Sequence, residues 1–283
     1  MKTLIQKIHI EEQFSFACRT YKTPHFETSW HKHEECELIL ITEGHGTALI
    51  GDYVGNYNSG DVFFLTSNLP HWFRKSHHKM IGSALVIHFT NHFLGEPFLQ
   101  LPEVKSIETL LSGEQGLLLN THSRKKIAPL MKEIEKGNGL ERIFKLLLCL
   151  QEISKRKSGS ILTHGLHQNN KQEDNSIIKD IIDYTFNNYL KKITLQQLAD
   201  LSGMSIPTFC RFFKKNIKKS YFDFLKEVRI GHACKLLHTT EQSVLDVCYN
   251  SGYNSWAHFS KQFKEVKKIT PSLYRKQYEL IKE

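Results

Sequence analysis

The 283-residue chain is 40% hydrophobic and 11% aromatic, an ordinary globular composition with length enough for two domains and a sizeable core. No apolar run nears the roughly 20 residues of a membrane span, and the N-terminal MKTLIQKIHIEEQ lacks the apolar stretch and cleavage site of a secretory leader, so a cytoplasmic protein without a membrane partner is expected. The net charge of +9 is uneven: residues 176–283 hold 18 Lys and Arg against 10 Asp and Glu, and residues 1–175 hold 20 against 19. A basic C-terminal third favours a polyanion, most often nucleic acid. The six cysteines (Cys18, Cys36, Cys149, Cys210, Cys234 and Cys248) include no CxxC and no close pair, which argues against a zinc knuckle or a disulfide framework.

In chain order, the first predicted element is a β-rich domain over residues 1–100. Short runs such as CELILIT, DVFFLT and SALVIHF alternate with the turn signals TEGHGT, GDYVGN, YNSGD and SNLPH, the spacing of an all-β sandwich or barrel. Within it, SWHKHEECELIL (29–40) puts His31, His33 and Glu37 on one face of a regular strand, together with Glu35. Imidazole and carboxylate donors suit Zn, Mn, Fe or Ni, and His71 in GDVFFLTSNLPHWF is a fourth candidate ligand from a neighbouring strand. HxHxxxE with Gly44 seven residues beyond the glutamate, then Gly60 and His71, resembles the two motifs of the cupin barrel. Thr66 and Asn68 replace the usual Pro and Gly, and Lys75 stands where Asn is common.

Three readings of His31, His33, Glu37 and His71 stay open. They hold a divalent metal, they line a metal-free polar pocket for a small-molecule effector walled by Trp30, Trp72 and Phe73, or they are structural. Lys32, Lys75, His77 and His78 count against the metal, since they bring positive charge or competing ligands near the motif.

Residues 101–157 read as helical. SRKKIAPLMKEIEKG and LERIFKLLLCLQEISKRK carry the 3.6-residue period, with Ile143, Leu146, Leu147 and Leu150 at i, i+3, i+4 and i+7. That stripe suits packing on the chain's own barrel or a homodimer interface equally. The polar, aperiodic residues 158–175 read as a linker. Beyond them an all-α domain is expected over 176–283: Ser176 is placed to cap the next helix, Thr194 and Gln197 have capping-box spacing, and Thr270-Pro271 opens the last helix.

This last domain contains a duplication. LADLSGMSIPTFCRFFKK (198–215) recurs as VCYNSGYNSWAHFSKQFKE (247–265), each copy reading as helix, glycine turn, helix. Gly203 and Gly252 match at the turn, where φ > 0 is required, and Ser205 and Asn254 or Ser255 can cap the second helix. Phe209, Phe212 or Phe213, Phe259 and Phe263 are core candidates. Both copies, with the tail Thr270-Pro271 and Tyr274-Arg275, resemble the DNA-binding domain of AraC/XylS-family transcription regulators, which often carry a cupin-like sensory domain ahead of it.

The resemblance implies that Pro207, Cys210 and Arg211 of the first recognition helix and Trp256, Ala257, Ser260 and Lys261 of the second face the bases. Lys191, Lys192, Lys214, Lys215 and Lys264 are placed for phosphate. Arg211 is the best direct reader, because a guanidinium binds guanine bidentately. Lys218 and Lys268 depart from the family, which usually places glycine there, so either the turn differs or strain is tolerated.

The fold class expected is therefore α+β multidomain: a cupin-like barrel with a helical extension, then an all-α domain with two helix-turn-helix motifs. The function expected is a non-enzymatic regulator of transcription, an activator, that binds double-stranded DNA under small-molecule effector control as a homodimer, with RNA polymerase a further candidate partner. The alternatives are a cupin metalloenzyme tethered to DNA and an effector-independent DNA-binding dimer.

Overall fold

The structure is a computed structural model that describes residues 8–11, 13–23, 26, 30–76, 79–113, 115–164 and 172–279. The chain divides into two units, one built from 4–53 and 57–167 and the other mainly from residue 168 onward.

In the first unit the strands are β1 (Phe16–Lys22), β2 (Cys36–Glu43), β3 (His45–Ile50), β4 (Tyr53–Asn58), β5 (Val62–Leu65), β6 (His71–Lys75), β7 (Ser83–Phe89), β8 (Gln115–Leu119) and β9 (Gly159–His164). They form a six-stranded sheet, β1-β7-β2-β5-β8-β9, and a three-stranded sheet, β4-β3-β6. The helices are α1 (Glu96–Leu99), α2 (Lys105–Ser112), α3 (Thr121–Lys136) and α4 (Gly139–Ile153).

Strand β2 shows why this unit has two cores. Alternate side chains leave opposite faces, so Cys36, Leu38 and Leu40 pack with Val62, Phe64, Leu85 and Ile87 against Ile127, Met131 and Ile134 of α3 and Leu146, Cys149 and Leu150 of α4. Ile39 and Ile41 face the other way, where they meet Ala48, Ile50, Tyr57 and Phe73 of the smaller sheet. Glu37 shares that inner parity. A strand buried on both faces reads as a continuous apolar run, and a carboxylate within it is a marked exception.

The helical stripe around Ile143 and Leu147 packs on the chain's own sheet with Leu146 and Leu150, so it is not free to form an interface. The opposite face of α4 exposes Leu140 (61%), Phe144 (56%) and Leu148 (51%) at i, i+4 and i+8.

The 101–157 segment is not wholly helical. QGLLL forms β8 and hydrogen-bonds to β5. The linker expected at 158–175 is also shorter: Gly159–His164 is β9, paired antiparallel with β8. Local polarity masked that strand, because its partner lies some forty residues earlier. The following helix starts at Gln172, so Ser176 sits inside it rather than capping it. The rest of the expected linker, 165–171, lies outside the described residues, as do His77 and His78.

In the second unit the helices are α5 (Gln172–Asn188), α6 (Leu195–Leu201), α7 (Ile206–Ile217), α8 (Tyr221–Thr239), α9 (Val244–Asn250), α10 (Trp256–Lys267) and α11 (Pro271–Glu279). Thr194 and Gln197 form a complete capping box on α6, while Ser205 and Ser255 cap α7 and α10. Gly203 (φ 64°) and Gly252 (φ 82°) make the two turns.

Helix α8 serves both copies of the motif. Its Tyr221 and Phe224 meet Phe213 ring to ring at 5.3 and 5.6 Å. Its Ile230, Ala233, Cys234 and Leu237 cluster with Val247, Phe259 and Phe263 of the second copy. Of the two candidates at 212 and 213, Phe213 is the fully buried one. No helix among the described residues is long and apolar enough to cross a membrane.

Candidate functional site

Glu37 lies opposite His88 in the β2/β7 register, and His88 Nε2 contacts Glu37 Oε1 at 2.5 Å. From the other side, His31 and His71 form an isolated bridge, each N–H donating to the other's carbonyl oxygen at 3.2 and 2.9 Å. That pairing sets their rings edge to face with centroids 4.3 Å apart and accompanies a distance of 3.0 Å from His71 Nε2 to Glu37 Oε2. His33 Nε2 lies 3.3 Å from Glu37 Oε1. All five side chains are buried. Glu35 lies outside β2, yet its carboxylate stays 3.5 Å from His33 Nδ1.

The histidine tautomers follow from the backbone. Nδ1 of His33 faces the Glu35 carbonyl at 3.0 Å and Nδ1 of His71 faces that of Leu69 at 2.8 Å, contacts that place a proton on Nδ1 in each ring. Both rings therefore present Nε2 to Glu37, and a neutral ring would aim a lone pair at a carboxylate. A proton on the ring or a shared cation removes that repulsion. Burial alone pushes the Glu37 carboxyl up, but the positive charge of His71, His88 and His33 outweighs it and holds the group well below the usual carboxylate range.

The donor set fits a divalent metal. His33 Nε2, Glu37 Oε2 and His88 Nδ1 are buried without a hydrogen-bond partner, which ordinarily costs stability. One donor atom from each of His31, His33 and His71 lies within 4.8 Å of the others, as does one from each of His33, Glu37 and His88. An Nδ1–H bonded to a backbone carbonyl with Nε2 left free is the arrangement that orients a metal-binding imidazole.

Beside the cluster is a cavity of about 60 Å³, lined by His31, Glu37, His71 and His88 and by the apolar Ile39, Ile41, Phe73, Ala84 and Val86. That is room for an ion with one or two waters, or for a very small molecule. Phe73 lines it as expected, whereas Trp30 and Trp72 are buried elsewhere and do not.

The departures from the cupin motif have local explanations. Asn68 adopts φ 60°, the conformation a glycine would supply and one that Asn tolerates. Thr66 Oγ1 donates to the Gln115 carbonyl and accepts from the Gln115 N–H, tying β5 to β8. Lys75 donates to the carbonyl of Met80 at 3.1 Å and reaches Thr23 Oγ1 at 3.4 Å. Burial of that lysine is thus offset outside the cluster. His88 is the member the motif reading missed. Its only trace is the inner-face alternation Ala84, Val86, His88 in SALVIHF, a polar side chain where an apolar one was due.

The second candidate surface belongs to α7 and α10. Pro207, Cys210, Arg211 and Lys214 are exposed on α7, opposite the buried Phe209 and Phe213. On α10, Trp256, Ala257, Lys261 and Lys264 are exposed and Ser260 is half-buried, opposite Phe259 and Phe263. Lys191, Lys192 and Lys215 are also exposed.

Arg229 of α8 links the connection between α5 and α6 to the second copy. It donates to the carbonyls of Tyr189 (2.7 Å) and Lys191 (2.9 Å), and its guanidinium lies 5.7 Å from the Tyr253 ring centroid. Lys218 (φ 59°) and Lys268 (φ 63°) keep the left-handed turn after each helix, so the strain is tolerated, at about 1–2 kcal/mol each.

Comparison with known proteins follows this division. Residues 20–88 match the family model of the cupin domain and residues 198–277 that of a helix-turn-helix domain. A regulator from Haemophilus influenzae, described as an uncharacterized HTH-type transcriptional regulator, is 30% identical over 269 residues, covering 85% of this chain and 86% of its own. The transcriptional activator RhaS of Mannheimia succiniciproducens is 22% identical over 85% of this chain and 87% of its own. Among solved structures, ToxT from Vibrio cholerae aligns over 92% of this chain and 97% of its own at 14% identity, with a TM-score of 0.36.

Proposed function

Because the chain belongs to the AraC/XylS family of DNA-binding transcription regulators and carries a cupin domain, we propose that α7 and α10 read its DNA site and that the cluster around Glu37 is the sensor controlling them. The observation that carries the sensor assignment is the convergence of His31, His33, His71 and His88 on one buried carboxylate, with unpartnered donor atoms between them. The effector is a divalent metal ion. His31, His33, His71 and Glu37 would hold it, and His88 would orient Glu37. Once bound, the ion supplies positive charge that replaces the protons otherwise needed between the histidines and Glu37. The role is regulation rather than catalysis, in keeping with relatives named as transcriptional regulators.

On the DNA side, Arg211 reads guanine in the major groove, with Lys261 the corresponding residue of the second copy. Trp256 meets a thymine methyl, Pro207, Cys210, Ala257 and Ser260 shape the contact, and Lys214 and Lys264 bind phosphate. The outer face of α4, through Leu140, Phe144 and Leu148, is the homodimer surface. The chain works in the cytoplasm, as an activator that acts with RNA polymerase.

A second reading has support from the apolar wall of Ile39, Ile41, Phe73 and Val86: a very small organic molecule, without metal, meets the polar groups of the cluster. Metal analysis of the chain purified without added metal separates the two. One equivalent of metal, lost in His31→Ala, supports the first; metal-free protein that is stabilised by small organic acids or amines and not by Zn, Mn, Fe or Ni supports the second. Sedimentation tests the dimer surface: Phe144→Asp is expected to yield monomers, and an unchanged dimer would remove α4 from that role.

A further inference from the structure

The lysines that close the two recognition helices adopt the same conformation, and among the described non-glycine residues only Asn68 shares it. In each copy the lysine N–H donates to the carbonyl four residues back, Lys218 to Lys214 at 3.0 Å and Lys268 to Lys264 at 2.9 Å. Glycine would make this turn without the Cβ penalty. The fold gives the side chains no visible return: both are exposed, and among the described residues neither ammonium group has an ion-pair partner. The helix dipole does not account for them either. Lys214 and Lys215 already occupy the last turn of α7, and Lys264 and Lys267 that of α10, so a further cation adds repulsion. The next position differs between copies: Lys219 is held by Glu227 at 2.8 and 2.9 Å, and the second copy has Ile269. Both copies thus place a lysine at the strained position and agree on nothing charged beside it. Strain retained without a benefit inside the fold indicates a ligand.

We infer that Lys218 and Lys268 each bind a backbone phosphate at the edge of the major groove that their recognition helix enters. In helix-turn-helix complexes the N-terminal part of the recognition helix reads base edges, and in the homeodomain variant the C-terminal end of that helix contacts the backbone. Phosphate would neutralise the crowded cations Lys214, Lys215 and Lys218, and likewise Lys264, Lys267 and Lys268. The inference rests on the assignment of α7 and α10 as recognition helices.

The test uses the full chain and a duplex that it selects from a random-sequence pool. The pair Lys218→Gly and Lys268→Gly relieves strain and removes charge together. It is expected to raise the melting temperature, weaken DNA binding equally for the selected and mismatched duplexes, and make the slope of log affinity against log salt shallower by about two for each chain bound. The pair Lys218→Arg and Lys268→Arg keeps the slope. An unchanged slope in the glycine pair overturns the inference, and so does a lower melting temperature, which would show that the side chains support the fold. Arg211→Ala run in parallel separates this from the groove-reading assignment. If sequence preference survives Arg211→Ala while the glycine pair loses slope, base reading by Arg211 fails and the phosphate contacts stand.

Discussion

The two units handle charge in opposite ways. Around Glu37 the titratable groups converge in a buried site where imidazole and carboxylate lie about one hydrogen bond apart; on α7 and α10 the cations diverge on an exposed face above a phenylalanine core. Burial makes each member of the first set strongly dependent on the others, because bulk solvent does not screen the charges or readily replace a lost partner. Exposure makes the second set nearly independent and open to salt. The first arrangement suits a switch responding to one small cation, and the second suits a polyanion met through many contacts of modest strength.

This contrast is sharpest in the responses to single substitutions. Phe209→Ala removes a fully buried ring beneath the exposed face of α7 and is expected to cost about 3–5 kcal/mol by denaturant unfolding, abolishing DNA binding while leaving intact the metal binding proposed for the Glu37 cluster. Loss of both properties together would break the division into units.

Glu37→Gln leaves the histidines without their counter-charge and is expected to cost about 3 kcal/mol at neutral pH. The pH dependence has a definite sign. The folded carboxyl titrates below the 4.5 of a free glutamate, so its contribution is fully present above that value and fades as pH falls toward the depressed one. A difference between wild type and Glu37→Gln that shrinks already between pH 7 and 6 would contradict a depressed Glu37.

His88→Ala is expected to weaken metal binding about 10- to 100-fold without abolishing it, as for a residue that orients a ligand. Complete loss would make it a ligand itself. Arg211→Ala is the mildest, removing about 1–3 kcal/mol of discrimination at one base pair with little effect on fold.

The two regions also differed in how far their sequences could be read. The DNA-binding unit was legible because its signals are local and occur twice. Caps, turn glycines and phenylalanines fall within some twenty residues of one another; the choices between Phe212 and Phe213 and between Asn254 and Ser255, and the turns at Lys218 and Lys268, were left open. The site in the β unit was half legible. His31, His33 and Glu37 lie close together in the chain, and His71 follows a motif, whereas His88 reaches Glu37 through the β2/β7 register across about fifty residues. Long-range pairing also hid β8 and β9, whose segments read as helical and as linker because the strands they complete lie elsewhere in the chain. Ser176 was misplaced for a related reason: the helix extends into the polar residues before it, where periodicity is silent.

If the state of the Glu37 cluster sets the affinity for DNA, as proposed, the two sites are thermodynamically linked. The affinity of the full chain for its selected duplex would be measured with a chelator and then with one equivalent of Zn, Mn, Fe or Ni, in wild type and in Glu37→Gln. One of these metals is expected to shift the wild-type affinity by about 5- to 150-fold and to leave the variant unmoved. Equal wild-type affinity under all conditions, with metal bound, would show that the cluster does not control DNA binding.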